Sequence, residues 1–366
     1  MEVSVEPTLS VSTNSEILCV EFSPYEWSKN LIAVALTNAI NIYSVQLQEE
    51  KENGETECKL LCESQVEGEC MHMAWSPSTS LHSSPPSLKL LLATNDDVII
   101  EFTTDLKSSF EKELFRHSNC INSLACSGIS STSLLPTLWA SVGDDQLLRV
   151  WSEPEERSDN ASETALENSA EASLVSGWSE SITLLEPGQS VKFHPEDSSL
   201  VLVCEVSGTL RLYRITPSEE DSCQLVVTAE WSVRCPAPLL DADWSLVDPD
   251  LIMAACSAGV ALINVSSNGS ARKSMLVLSG SHKNSLSSGY GGGRGAVKVR
   301  GARNSPALVA AVTASNSVTV LHATASRIPL TAHLKAVGGI SWHLELPYLS
   351  VGSDRRLLLW RVDKIS

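Results

Sequence analysis

Ser141-Val-Gly-Asp-Asp-Gln-Leu-Leu-Arg-Val-Trp151 and Ser350-Val-Gly-Ser-Asp-Arg-Arg-Leu-Leu-Leu-Trp360 stand far apart in the chain, yet share Ser, Val, Gly, Asp, Leu and Trp at matching positions. Each reads as a strand, a tight acidic turn, and a second strand closing on tryptophan. A histidine precedes each, His117 and His333. A unit of this kind cannot bury its apolar face alone and must repeat, with neighbours stacking around a shared core. The expected fold is all-β: a ring of small four-stranded sheets, a β-propeller.

The unit has the form of a WD repeat. At about 40–45 residues each, seven blades need roughly 280–315 residues. The 366-residue chain accommodates them as one domain over residues 1–366, with the surplus in loops. Apolar runs separated by Ser, Pro, Asn, Asp and Gly turns recur throughout. Blade one is predicted at Ile17–Phe22, Leu31–Leu36, Ile40–Val45 and Cys58–Cys62. Among the other outer strands, Gln224–Ala229 is expected in blade four and Arg327–Leu330 in blade six. Blade seven runs out one strand short, so Pro7–Thr13 is expected to supply its outer strand and remove two open edges.

Net charge is −18, distributed unevenly. From Ala271 to the end there are 13 Lys+Arg against 3 Asp+Glu, and the first 270 residues hold 13 against 41. Such asymmetry orients docking, although acidic loops also simply keep a large surface soluble. Two insertions concentrate it. Residues 153–172 are rich in Glu, Ser, Ala and Asn and are expected to be a disordered acidic insertion. Residues 280–303 are expected to be a flexible Gly/Ser-rich basic loop, offering Arg294, Lys298, Arg300 and Arg303 as a contact surface, while Ala296–Arg300 within them also reads as the first strand of blade six. Nucleic acid is the weaker candidate for that loop, because the cations are few and lack interleaved aromatics.

No stretch approaches the ~20 apolar residues of a membrane span, and the acidic N-terminus lacks an apolar signal core. A cytosolic or nuclear protein without membrane insertion is expected. The ten cysteines lie mostly in apolar runs and read as small buried hydrophobes. Cys58 and Cys62, four apart on a strand, are ~13 Å apart and too distant to share one zinc. The Gly289–Gly295 loop does not join a strand to a helix as a dinucleotide site requires. No metal, cofactor or small-molecule substrate is expected.

His117, Ser141 and Asp145 have the residue types of a hydrolytic triad, but no nucleophile elbow surrounds Ser141. In a propeller blade the same residues form a buried network with Trp151. The Asp is expected to accept from the His and from the Ser hydroxyl, and the Ser oxygen from the indole N–H. His333, Ser350, Asp354 and Trp360 are expected to repeat that network in blade seven. Several first strands end in an aromatic residue before a turn: Phe22-Ser-Pro24, Trp75-Ser-Pro77, Phe193-His-Pro195, and without the immediate proline Trp244 and Trp342. Proline there fixes the turn.

Ala74-Trp-Ser-Pro77 followed by Pro85-Pro86, Phe193-His-Pro-Glu196, and Gly339-Ile-Ser-Trp-His343 before Leu346-Pro347 occur in that order. With Phe22–Glu26 and Ser141–Trp151, they make the chain, from about Ile17 to Val362, similar to the small WD-repeat nucleoporins of thirty-seven kilodaltons. These are subunits of the Y-shaped outer-ring scaffold of the nuclear pore. The resemblance implies a non-enzymatic scaffold that docks on the large nucleoporin of the short arm. It also implies support of pore assembly, protein import and mRNA export, residence at the nuclear envelope, and visits to kinetochores in mitosis. The alternative is a substrate adaptor of a cullin-type ubiquitin ligase. The Trp-Asp-x-Arg box of such adaptors has no counterpart after Trp151, followed by Ser-Glu-Pro, or Trp360, followed by Arg-Val-Asp.

Overall fold

Short apolar strands, each too small to stand alone, are paired here into seven antiparallel four-stranded sheets. The structure is a computed structural model. It describes residues 6–48, 56–128, 135–152, 179–218, 224–235, 237–256, 259–265, 271–277, 296–305, 308–322 and 330–362. The acidic insertion at 153–172, Arg294 and the glycine-rich part of the basic loop lie outside them.

β1 (Leu9–Ser12) precedes the first blade. Blade one is β2 (Ile17–Phe22), β3 (Leu31–Leu36), β4 (Ala39–Gln46) and β5 (Glu57–Gln65). Blade two is β6 (Cys70–Trp75), β7 (Leu88–Thr94), β8 (Val98–Thr104) and β9 (Ser109–Arg116). Blade three is β10 (Ile121–Cys126), β11 (Leu138–Gly143), β12 (Leu147–Ser152) and β13 (Ser179–Thr183). Blade four is β14 (Gly188–Phe193), β15 (Leu200–Glu205), β16 (Thr209–Pro217) and β17 (Leu225–Arg234). Blade five is β18 (Leu239–Trp244), β19 (Leu251–Cys256), β20 (Gly259–Val265) and β21 (Ala271–Val277). Blade six is β22 (Ala296–Gly301), β23 (Leu308–Thr313), β24 (Ser317–His322) and β25 (Leu330–His333). Blade seven is β26 (Gly339–Trp342), β27 (Tyr348–Ser353) and β28 (Arg356–Arg361).

Within each blade the first strand lies innermost, and successive first strands touch one another around the ring, β2 meeting both β6 and β26. The second strands are mostly apolar and buried, wholly buried in Leu-Ile-Ala-Val-Ala-Leu of β3 and Leu-Val-Ala-Ala-Val-Thr of β23. They are covered on both faces by neighbouring blades, which is why they read as continuous rather than alternating runs. The outer strands alternate and carry the charge, as in Ser109–Arg116. The first strand of blade six, expected at Ala296–Arg300, is β22, an innermost strand over residues 296–301, so the basic loop expected at 280–303 is corrected at its end. The outer strand of blade six starts later than expected, at Leu330, and that of blade four extends to Arg234.

β1 completes blade seven, with Leu9 opposite Leu359 and Val11 opposite Leu357. Both side chains pack on the core shared by blades one and seven, against Leu357 and Leu359 and beside Ile17 and Val20. Here the ring is drawn tight. A Cβ on Gly339 would lie 2.6 Å from the Val20 nitrogen, so only glycine lets β26 approach β2.

In blade three, His117 joins Asp145 to Ser141. Its Nδ1 is 2.9 Å from Asp145 Oδ2 and its Nε2 is 2.8 Å from Ser141 Oγ. The carboxylate can only accept, so Nδ1–H donates to it and Nε2 accepts the serine hydroxyl. Asp145 also takes the Ser118 and Leu147 amides. The order therefore differs from the expected one: the imidazole sits between Asp and Ser. Trp151 packs edge-on against Phe115, ring centroids 5.0 Å apart, rather than donating to Ser141. The arrangement has the connectivity of a hydrolytic triad, yet Ser141 is fully buried and no substrate reaches it.

Blade seven does not repeat this. Its hairpin pairs as far as Ser353 with Arg356, leaving a two-residue turn, whereas blade three pairs only as far as Val142 with Leu148. The tighter turn puts Asp354 itself in the left-handed region (φ 52°), where blade three has Gln146 (φ 60°). His333 is bonded to Ser317 Oγ at 2.6 Å, Ser350 donates to the Ser341 carbonyl, and Trp360 is buried in the core of blades six and seven.

Two outcomes follow. Asp145→Asn must turn an NH2 toward a donor in either orientation, so it should cost about 1–3 kcal/mol in urea denaturation. Asp354→Asn, at a backbone conformation asparagine tolerates, should stay within about 0.5 kcal/mol; equal losses would contradict the difference between the two turns. Leu9→Asp with Val11→Asp should cost about 2–4 kcal/mol and produce aggregates in size-exclusion chromatography by freeing the edge of β28.

Candidate functional site in the axial channel and its aromatic mouth

An innermost strand has one edge facing the axis and no partner ladder there. In six blades it also carries a bulge near its start, between Ile17 and Cys19, Cys70 and His72, Ile121 and Ser123, Gly188 and Ser190, Leu239 and Asp241, and Ala296 and Lys298. The extra residue re-aims the side chains beside it. Consecutive residues consequently line the channel: Asn122 with Ser123, Leu240 with Asp241, Val297 with Lys298.

Neighbouring blades satisfy the inner edge with side chains. Ser341 Oγ accepts the Phe22 amide, Ser123 Oγ the Val191 amide, and Asp241 Oδ2 the Val299 amide, at 3.0–3.2 Å. Asp241 is buried and also takes the Ser190 hydroxyl and the Arg300 guanidinium. Burial alone would raise its pKa; Arg300, then Lys192, outweigh that and hold the carboxyl below its ordinary value. Arg300 is half-buried, which opposes its charge, but Asp241, Asp243 and Glu21 raise its pKa further.

Arg300 and Lys298 therefore belong to the channel and not to a basic loop. Lys298 donates to the Gly338 carbonyl. Arg303, just beyond β22, lines the mouth of the channel. The three cations are brought together, but around the axis and alongside Glu21, Asp241 and Asp243.

On the face where the innermost strands end, the channel opens into a cavity of about 470 Å³. Its wall is the set of strand-terminal aromatics, Phe22, Trp75, Phe193, Trp244 and Trp342. Four of them reach across to a neighbour. Trp75 Nε1 donates to the Glu21 carbonyl and Trp342 Nε1 to the Arg300 carbonyl; Phe22 and Trp244 make edge contacts with His343 and His194. Trp27 stands at the rim, stacked on Tyr25 at 5.1 Å and 43% exposed. Sequence reasoning saw these aromatics as turn punctuation. The signal it passed over was charge within four otherwise apolar first strands: Glu21 in β2, Lys192 in β14, Asp241 and Asp243 in β18, and Lys298 and Arg300 in β22.

The mouth holds groups suited to recognition. Glu21 is engaged by Ser341 Oγ and Asp243 by the Gly301 amide. Among the described residues, no cluster of three His, Cys, Asp or Glu could hold a metal ion. Cys58 and Cys62 lie on one outer strand, where burial raises the pKa of each thiol.

Two histidines near the channel are kept neutral. His343 Nδ1 accepts the Glu345 and Leu346 amides, and Nε2 faces Asn30 Oδ1 at 3.2 Å. Burial brings its pKa down to about 4. Burial, then Lys298, brings that of His72 down to about 3. In the unfolded chain both titrate near ~6.5. Below that pH the unfolded state binds protons that the folded state excludes, so stability is complete above about 6.5 and falls toward pH 4 and below. Each histidine should remove up to about 1.4 kcal/mol per pH unit in that window. Urea midpoints measured from pH 7.5 to 4.5 should fall, and His343→Asn, which keeps an acceptor but cannot titrate, should fall less steeply; parallel slopes would show that His343 accepts its proton in the folded state.

No protein-family model matches the chain. It is similar along almost its whole length to the nucleoporin Nup37 of Drosophila melanogaster, 29% identical over 371 residues covering 99% of each chain. The Mus musculus Nup37 is 28% identical, over 96% of this chain and 95% of that one, and the Homo sapiens Nup37 27% identical, over 98% of both. End-to-end similarity to three such proteins, in a chain that closes seven blades, makes this a Nup37-like WD-repeat propeller protein.

Proposed function

We propose that this protein is a non-enzymatic scaffold subunit of the nuclear pore, in the Y-shaped outer-ring complex, where it docks on the large nucleoporin of the short arm. The observation that carries the reading is similarity to nucleoporins from end to end, with coverage of 95% or more on both sides. The physical character of the ring supports it. A closed propeller offers rigid faces whose geometry is fixed before a partner arrives, so little ordering entropy is spent on binding. The triad-like group of blade three is buried within a sheet, and the polar groups of the mouth are largely engaged with backbone or with each other.

In this role the protein resides at the nuclear envelope, contributes to pore assembly and so to protein import and mRNA export, and accompanies the complex to kinetochores in mitosis. Affinity purification of the tagged full chain from nuclear-envelope extract, followed by mass spectrometry, tests it. Outer-ring nucleoporins, the short-arm subunit foremost, should be recovered in near-stoichiometric amount. Recovery of cullins and their adaptors in their place would favour the ubiquitin-ligase reading.

A further inference from the structure

The wall of the channel mouth is built by five of the seven blades and is broken at blades three and six. There the innermost strands end without an aromatic, at Cys126 and Gly301. At blade six the gap is filled by Arg303. Its guanidinium lines the cavity half-buried, and among the described residues it makes no hydrogen bond and no ion pair. Lys192, on the floor, likewise makes no hydrogen bond or ion pair among them, and acts on Asp241 through its charge alone. The carboxylates nearby are not idle: Asp241 holds Arg300, Asp243 accepts the Gly301 amide, and Glu21 accepts the Ser341 hydroxyl.

From these contacts we infer that the mouth is a docking site for an extended acidic-apolar peptide segment of a partner protein, with one carboxylate set against Arg303 and its apolar neighbours lying on the aromatic wall and Trp27. Two cations that no carboxylate hydrogen-bonds among the described residues, set among tryptophans, suit an anion with apolar flanks. A guanidinium in a low-dielectric setting gains most from a carboxylate it can bind through two parallel N–H bonds. The cavity, at about 470 Å³, suits a few residues of extended chain. A polyanion fits badly. Glu26 and Glu196 stand exposed at the rim, and the chain as a whole carries −18, so nucleic acid is repelled on approach while a single carboxylate with an apolar surround is not. Burial presses on the charge of Arg303 and Asp243 and Glu21 only partly relieve it, which leaves the arginine short of counter-charge.

The inference rests on the scaffold reading for its biological setting but not for its chemistry, and the test separates the two. A random nonapeptide display library is panned on the immobilised full chain, and the enriched peptides are titrated by fluorescence polarisation. A single Asp or Glu flanked by aromatic or aliphatic residues should be enriched. Binding should weaken about tenfold or more with Arg303→Gln and also with Trp27→Ala, and should be unchanged with Phe110→Ser on the outer strand of blade two. Among the described residues Arg303 makes no hydrogen bond or ion pair, so its variant should keep the wild-type melting curve. Enrichment of basic or purely apolar peptides, no enrichment, or binding indifferent to Arg303→Gln overturns the inference. Tighter, Arg303-dependent binding of a labelled oligouridylate overturns it in favour of nucleic acid. If outer-ring nucleoporins are recovered but no acidic peptide binds, the docking site fails and the scaffold stands; acidic peptides bound without such recovery would mean the reverse.

Discussion

The inner edge of each blade is the constraint from which the rest follows. A sheet normally satisfies an edge by adding a strand, and a ring of seven sheets leaves seven such edges around a channel too narrow for another. Unmade backbone hydrogen bonds there would each cost free energy comparable to a lost hydrogen bond. The chain meets the demand with side chains from the adjoining blade: Ser341 to Phe22, Ser123 to Val191, Asp241 to Val299. Polar residues in otherwise apolar strands are therefore structural before they are anything else. They also bind each blade to the next more specifically than apolar stacking could.

That solution brings a second problem, since the side chains that satisfy the edge carry charge. Asp241 in isolation would be costly to bury. With Arg300, the Ser190 hydroxyl and the Val299 amide around it, its charge is compensated, and the pair links blades four, five and six across the channel wall. Removing one member would strand the other, which is why such pairs cost more to break than to omit. The neutral histidines are the acid-sensitive counterpart. His343 is useful to the fold as an acceptor of two loop amides, and that use is incompatible with a proton on the same nitrogen.

Much of the architecture was legible in the residues because its physics is local. The buried runs Leu31–Leu36 and Leu200–Cys204 could only be strands covered on both faces, and a last blade one strand short required Pro7–Thr13 to close it. What was not legible depended on single-residue register. Ser141–Trp151 and Ser350–Trp360 look alike as text, yet two further rungs in the blade-seven hairpin turn Asp354 into a left-handed corner and dissolve the network expected there. Lys298, Arg300 and Arg303 follow a glycine-rich stretch and shared its character on paper. Ala296–Arg300 reads as a strand, but only the structure shows that as β22 it carries the first two into the channel and leaves Arg303 at its mouth.

The same register logic gives the mouth its character. Each innermost strand ends on a residue whose side chain must cover the channel end of its own blade and reach the next, and a large aromatic does both. Tryptophan adds an N–H that finds a carbonyl of the preceding blade, as Trp75 and Trp342 do. Five repetitions give a wall in which Phe22, Trp75, Trp244 and Trp342 are each held by a neighbouring blade. Blade six departs from the rule with Gly301, whose amide is taken by Asp243, and the next side chain able to fill the gap is Arg303. A cation in an aromatic wall is thus a product of where the bulged strand stops. It turns a sequence of structural compensations into a surface with a preference for one kind of charge.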